Sequence, residues 1–172
     1  MKRIINSFKR EKEYVRLLND RHGKRHISLV NGLSGMAEAV FIGALCDDLA
    51  DKLICIVCGD ESSAAEMKNL LSQIRDDVYF YPARELCLGE FDGASHDWEQ
   101  IRISSLFAVL SGKCKVLVTT SEALMQPCIP PEVLKKSAVT LKYGEISDFD
   151  ALVRFLSEVG YARCDMVESR SQ

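Results

Sequence analysis

A chain of 172 residues with 47% hydrophobic and 27% charged side chains has room for one well-cored domain and a small second one. No apolar run approaches the roughly 20 residues that span a bilayer, and the opening MKRIINSFKREKEYVR lacks the apolar stretch of a secretion signal. Seven cysteines at irregular spacing argue for reduced thiols over a disulfide framework, so the expected compartment is the cytoplasm.

The net charge of −3 is unevenly spread: residues 1–26 hold nine Lys/Arg against Glu11, Glu13 and Asp20, or +6, leaving −9 for the rest. Such a basic arm either touches nucleic acid or is a solvated helix face. Phe8, Tyr14, Val15 and Leu18 recur at helical spacing and predict an exposed amphipathic helix over 7–20 that packs loosely or projects. HISLV (26–30) reads as a first short strand ending in the turn NGLSG. Met36 to Leu49 is almost continuously apolar, as in a helix buried against a sheet. LICIVC (53–58) reads as a parallel strand buried on both faces.

Asp60 caps the next helix, whose stripe is Met67, Leu70, Leu71 and Ile74. VYFYP (78–82) is a third strand, and 83–94 a loop. Ser95 opens a helix with Trp98, Ile101, Leu106, Phe107 and Leu110 as its apolar positions, ended by Gly112. KVLVTT (115–120) is a fourth strand, and SEALMQPCIPPEVLKK two short helical pieces with Pro131 at a first helical position. This alternation predicts an α/β domain with a parallel sheet and flanking helices.

A change of unit is expected near Lys136. AVTLKYG (138–144) reads as a strand, and Ser147 with Asp150 as a capping box. Phe149, Leu152, Val153 and Leu156 form a clean stripe, Gly160 a helix end, and YARCDMV (161–167) a strand. The expected organisation is a basic N-terminal helix and linker (1–26), an α/β domain (27–136), and the β-α-β opening of a second, truncated, partner-docking domain (137–172).

The stretch with most chemical content is Leu29 to Val40. Setting Gly32 on the first glycine of the phosphate-loop pattern Gly-x-x-x-x-Gly-Lys-Ser/Thr, with Gly35 within the loop, puts Ala37 on the second glycine. Glu38 then takes the lysine's place and Ala39 the hydroxyl's. The lysine reaches phosphates and the hydroxyl holds magnesium, whereas here an acid would face the polyphosphate and a methyl group the metal. Like charges about 4 Å apart repel by about 4 kcal/mol at an effective dielectric near 20. The loop is thus expected to be a degenerate phosphate loop without nucleotide chemistry. Read as a plain glycine turn, it predicts nothing about nucleotides.

Cys55 and Cys58 form a Cys-x-x-Cys, but in a strand residues three apart face opposite ways, so the pair is expected to be two structural thiols and no metal site. His22, His26 and His96 have no nucleophile setting, and Asp92, Asp97 and Glu99 are acids at a helix start. No catalytic residue and no metal ligand is expected.

From Leu29 to Val167 the chain resembles the N-terminal, UvrB-like part of bacterial transcription-repair coupling factors (Mfd). The features stand in order: NGLSGMAEA, YPARELCLGEFDGASHDWEQIRISSLFAVL, KVLVTTSEALMQPCIPPEVL and GYARCDMVE. The resemblance implies a non-catalytic module with a degenerate P-loop, RecA-like helicase fold and no cofactor of its own; ATP and Mg would serve a downstream motor of the parent protein. It implies that the parent displaces stalled RNA polymerase and recruits excision repair. UvrA would dock on the second domain, mainly beyond Gln172. RNA polymerase and DNA would engage downstream parts, other domains of the parent would pack nearby, and no membrane is involved. Two other functions fit the residues: a genuine nucleotide-binding ATPase or helicase domain, and an unrelated α/β interaction module.

Overall fold

The computed structural model describes residues 2–20, 27–84, 97–144 and 148–161. In chain order the elements are α1 (Lys2–Phe8), α2 (Lys12–Asn19), α3 (Met36–Asp48), β1 (Ile54–Cys58), α4 (Glu61–Ser72), β2 (Val78–Tyr81), α5 (Asp97–Leu110), β3 (Val116–Thr120), α6 (Ser121–Met125), α7 (Pro131–Lys136) and α8 (Phe149–Glu158). The strands form one parallel sheet in the order β1-β3-β2, with Ile54 and Val78 both aligned on Val116. The expected α/β class with flanking helices is therefore found, as a small three-stranded sheet.

Strand alternation puts Val78, Val116 and Val118 on one face, where Ala39, Ile42 and Cys46 of α3 and Ala64, Met67 and Leu71 of α4 cover them. Helix α5 covers the other face at β2, with Arg102 over the Tyr81 ring. The path steps across the sheet from β1 to β2, then back to β3. Crossovers of one hand must then place α4 and α5 on opposite faces, as they do. Asp60 caps α4 by accepting the Ser63 N–H at 2.8 Å, and Pro131 stands at the first position of α7, both as expected.

Helix α3 explains its own composition. One side faces the sheet; the other, Val40 and Ala44, packs against Ile5 and Tyr14 of the N-terminal helices. Phe8, Tyr14 and Phe41 meet edge to face with centroids 5.7–6.1 Å apart. Gly43 lets the helices close up, since a Cβ there would stand 3.2 Å from Ile74 Cδ1 and 3.4 Å from Ile5 Cδ1. A helix buried on two sides needs apolar residues all round.

Polar contacts pin its C-terminal end. Lys9 Nζ donates to Asp48 Oδ1 at 2.8 Å and Tyr14 Oη to Asp48 Oδ2 at 2.6 Å. Arg75 makes a two-bonded fork to Asp77 and reaches Asp47 at 3.0 Å. Lys115 Nζ donates to the carbonyls of Leu49, Ala50 and Lys52, where the helix dipole favours a cation. Burial, followed by the Asp48 hydrogen bond, raises the Tyr14 hydroxyl well above its ordinary pKa.

Several expectations are corrected. The single helix over 7–20 is two short helices, and they dock: the turn at Lys9–Glu11 lets Ile5 and Tyr14 both reach α3, and both are buried. Residues 27–30 form no strand; Ile27 is 95% and Leu29 85% exposed, and no strand among the described residues pairs with them. β1 is an edge strand rather than one buried on both faces, leaving Cys55 and Val57 exposed. In α5 the buried face is Arg102, Ser105 and Ala108, while Trp98, Ile101 and Phe107 are exposed. Residues 138–142 are irregular and exposed, with no strand paired to them among the described residues. Helix α8 is capped by Asp148, which accepts the Ala151 N–H at 3.0 Å. Ser95, His96, Ser147 and, apart from Tyr161, the expected strand 161–167 lie outside the described residues. Among the described residues no helix is long and apolar enough to cross a membrane.

Candidate functional site

Ligands of open parallel sheets bind outside the carboxyl ends of the strands, where the phosphate-loop-like turn also lies. Gly32 and Gly35 have φ of +86° and +54°, in the left-handed region that a side chain resists, so these two glycines set the turn. Gly35 is the N-cap of α3, without a capping side chain. The Ala37 N–H bonds the Ser34 carbonyl at 3.2 Å, and the Ala39 N–H the Gly35 carbonyl at 3.2 Å.

The five residues of the loop pattern part company in space. Gly35 and Glu38 line one cavity of about 310 Å³ with Cys58, Gly59, Ser63 and Glu66. Ala37 and Gly32 are exposed. Ala39, in the hydroxyl's place, is buried in the core against the sheet. Glu38 stands in the first turn of α3, where an acid also suits the helix dipole. Burial, then the Glu38 and Asp60 carboxylates, push the Cys58 thiol above its ordinary pKa. The Glu38 and Glu66 carboxylates line this cavity and would repel a like charge placed in it.

Beyond β2 and β3 the strand ends are tied by the protein's own polar groups. Arg102 on α5 is 3% exposed and donates through Nη1 to the Pro82 carbonyl at 2.5 Å and to Gln126 Oε1 at 3.3 Å. Its Nη2 donates to Tyr81 Oη at 2.6 Å, and the guanidinium lies 4.1 Å from the Tyr81 ring centroid. Gln126 clasps the Arg84 backbone, accepting its N–H at 2.6 Å and donating to its carbonyl at 3.2 Å. Glu61 Oε1 accepts the Ala83 N–H at 2.7 Å and the Thr120 hydroxyl at 3.4 Å, while Glu61 Oε2 is buried without a partner. Burial pulls the Arg102 guanidinium below its ordinary pKa and pushes the Tyr81 hydroxyl above its own.

This network was missed in the sequence. Its one signal is the spacing Arg102–Ser105–Ala108: two small residues on one helix stripe leave room for a buried guanidinium, and hydropathy scores that stripe as outward. Cys55 and Cys58 fall on opposite faces of β1, as strand geometry requires, and both are free thiols. Among the described residues no group of three or more His, Cys, Asp and Glu is placed to hold a metal. His22, His26, His96 and Asp92 lie outside them.

No protein-family model matches the chain, and no solved structure does. It is 29% identical over 171 residues to the transcription-repair-coupling factor of Bacillus subtilis (strain 168), matching 98% of this chain. Those of Staphylococcus epidermidis and Staphylococcus aureus (strain USA300) are 28% identical over 170 residues and 26% over 166, matching 97% and 95% of it. The chain spans about 14% of the length of the curated relatives it matches. The resemblance to transcription-repair coupling factors that its motifs suggest thus extends along nearly the whole chain.

Proposed function

We propose that this chain is a non-catalytic scaffold and partner-docking segment of a transcription-repair coupling factor, with a degenerate phosphate loop on a RecA-like helicase framework. The observation that carries the reading is the similarity to transcription-repair-coupling factors over 95–98% of the chain, at 14% of their length. The site supports it: Glu38 and Glu66 line the cavity beside the turn, and Ala39 is spent on the core. On this reading the segment is not the motor and takes neither ATP nor magnesium. The parent, a cytoplasmic translocase, engages RNA polymerase and drives along DNA through other parts. UvrA docks through the domain that residues 137–172 begin, chiefly beyond Gln172.

Two measurements test this. Calorimetric titration with magnesium-ATP is expected to show no binding. A micromolar dissociation constant, about −8 kcal/mol, would overturn the degenerate-loop reading. Interferometry against UvrA is expected to show weak or no binding by residues 1–172 and tight binding by a version extended through the second domain. Equal tight binding by both would move the docking surface into this chain, and none by either, with both folded, would count against the family reading.

A further inference from the structure

The N-terminal helices sort their charges. On α1, Ile5 and Phe8 turn toward α3, leaving Lys2, Arg3 and Asn6 exposed on the outer side. On α2, Tyr14 and Leu18 turn inward, leaving Lys12, Arg16 and Asn19 exposed, and Arg10 is exposed in the turn between the helices. The acids go elsewhere. Glu11 and Glu13 line a groove of about 440 Å³ that α2 forms with Phe41 and the 29–33 segment. Asp20 sits 3.6 Å from Arg16 at the far end, in a pair whose side chains are 84% and 55% exposed and therefore weak. Lys9 alone among the described cations here points inward, onto Asp48.

We propose that this outer face of α1 and α2 binds the phosphate backbone of duplex DNA, without sequence preference. Five exposed cations, with Asn6 and Asn19 among them, offer side chains of the kind that contact phosphates, and among the described residues no base-reading element accompanies them. The remainder of the chain carries −9, so the acidic body repels the duplex and confines contact to this face. An acidic protein surface would need a fixed, shape-matched set of carboxylates. Long, exposed side chains, of which only Arg16 is loosely paired, fit a uniform line of phosphates better. The inference is independent of whether the turn at 32–35 ever held nucleotide.

The test is fluorescence anisotropy of a labelled 20-base-pair duplex titrated with the 172-residue chain, from 50 mM to 200 mM salt. Saturable binding is expected at low salt, with log K falling against log salt at a slope of roughly −3.6 to −4.5, as for about four or five phosphates. Arg3→Glu, Arg10→Glu and Lys12→Glu together are expected to weaken it by at least about tenfold. A charge-matched control, Lys113→Glu, Lys135→Glu and Lys136→Glu, is expected to retain most of the affinity, with circular dichroism unchanged in both variants. No binding at 50 mM salt overturns the proposal, as does equal loss in both variants. Competition by poly-glutamate as effective as by unlabelled duplex also overturns it, in favour of an acidic protein partner.

Discussion

Helices α4 and α8 have equally clean apolar stripes in sequence, and the structure treats them in opposite ways. Met67 and Leu71 of α4 are buried against the sheet; α8 buries no residue, and Phe149 and Val153 are exposed. Both helices form, each with an aspartate accepting the backbone N–H three residues on. A stripe therefore specifies a helix and a demand for cover; cover comes from elsewhere in the chain or from another molecule.

The contrast can be tested through stability, beginning with the largest effect. Leu71→Ala, at a fully buried position, is expected to cost about 2–5 kcal/mol in denaturant unfolding. A cost under about 1 kcal/mol would mean that the α4 core is loosely packed. Arg102→Ala strands the Pro82 carbonyl and the Tyr81 hydroxyl, at an expected cost of about 1–3 kcal/mol. Arg102→Lys should recover little, because an ammonium cannot reproduce the planar fork; full recovery would show that charge alone matters.

A smaller effect should appear with acid. Burial raises the Asp48 carboxyl, but the Lys9 and Tyr14 hydrogen bonds outweigh it, and the folded pKa lies below the ordinary value. Asp77, held down first by Arg75, behaves alike. A depressed folded pKa stabilises above the unfolded value near about 4, and that contribution is lost as pH falls through the folded pKa. Melting temperature should therefore drop between about pH 5 and 3, and Asp48→Asn should flatten the drop while lowering stability at neutral pH. An unchanged profile would remove Asp48 from the account. Smallest of all, Leu156→Ala in α8 is expected to shift global stability by less than about 0.5 kcal/mol; a cost like that of Leu71→Ala would mean α8 is covered after all.

What the sequence could and could not reveal follows from the same contrast. Strands 54–58, 78–81 and 116–120 and helices α4, α6 and α7 were readable because period, caps and Pro131 are local signals. Segments 27–30 and 138–142 have strand-like composition, yet a strand exists only beside a partner, and among the described residues no strand pairs with them. Helix α5 was misread because Arg102 occupies its buried stripe. The docking of α1 and α2 was hidden because the second apolar side of α3, Val40 and Ala44, cannot be told from the first by hydropathy. At the candidate site the identities Glu38 and Ala39 were legible, but Ala39 packing into the core and the clasp of Gln126 on Arg84 depend on residues far apart in sequence.

The strand order carries a consequence for synthesis on the ribosome. Among the described strands β3 is the last made and the central one, so β1 and β2, which do not touch, lack their partner in this sheet until Thr120 has emerged. At about 5–20 residues per second, the stretch from Cys58 to Val116 takes roughly 3–12 s to make. From Tyr81 onward the nascent chain offers two apolar strands with open edges, and α3 and α4 still lack Val116 and Val118 of the core they will share. Chaperone capture and aggregation therefore compete with folding most strongly before residue 120, and the arrival of one five-residue strand closes the window.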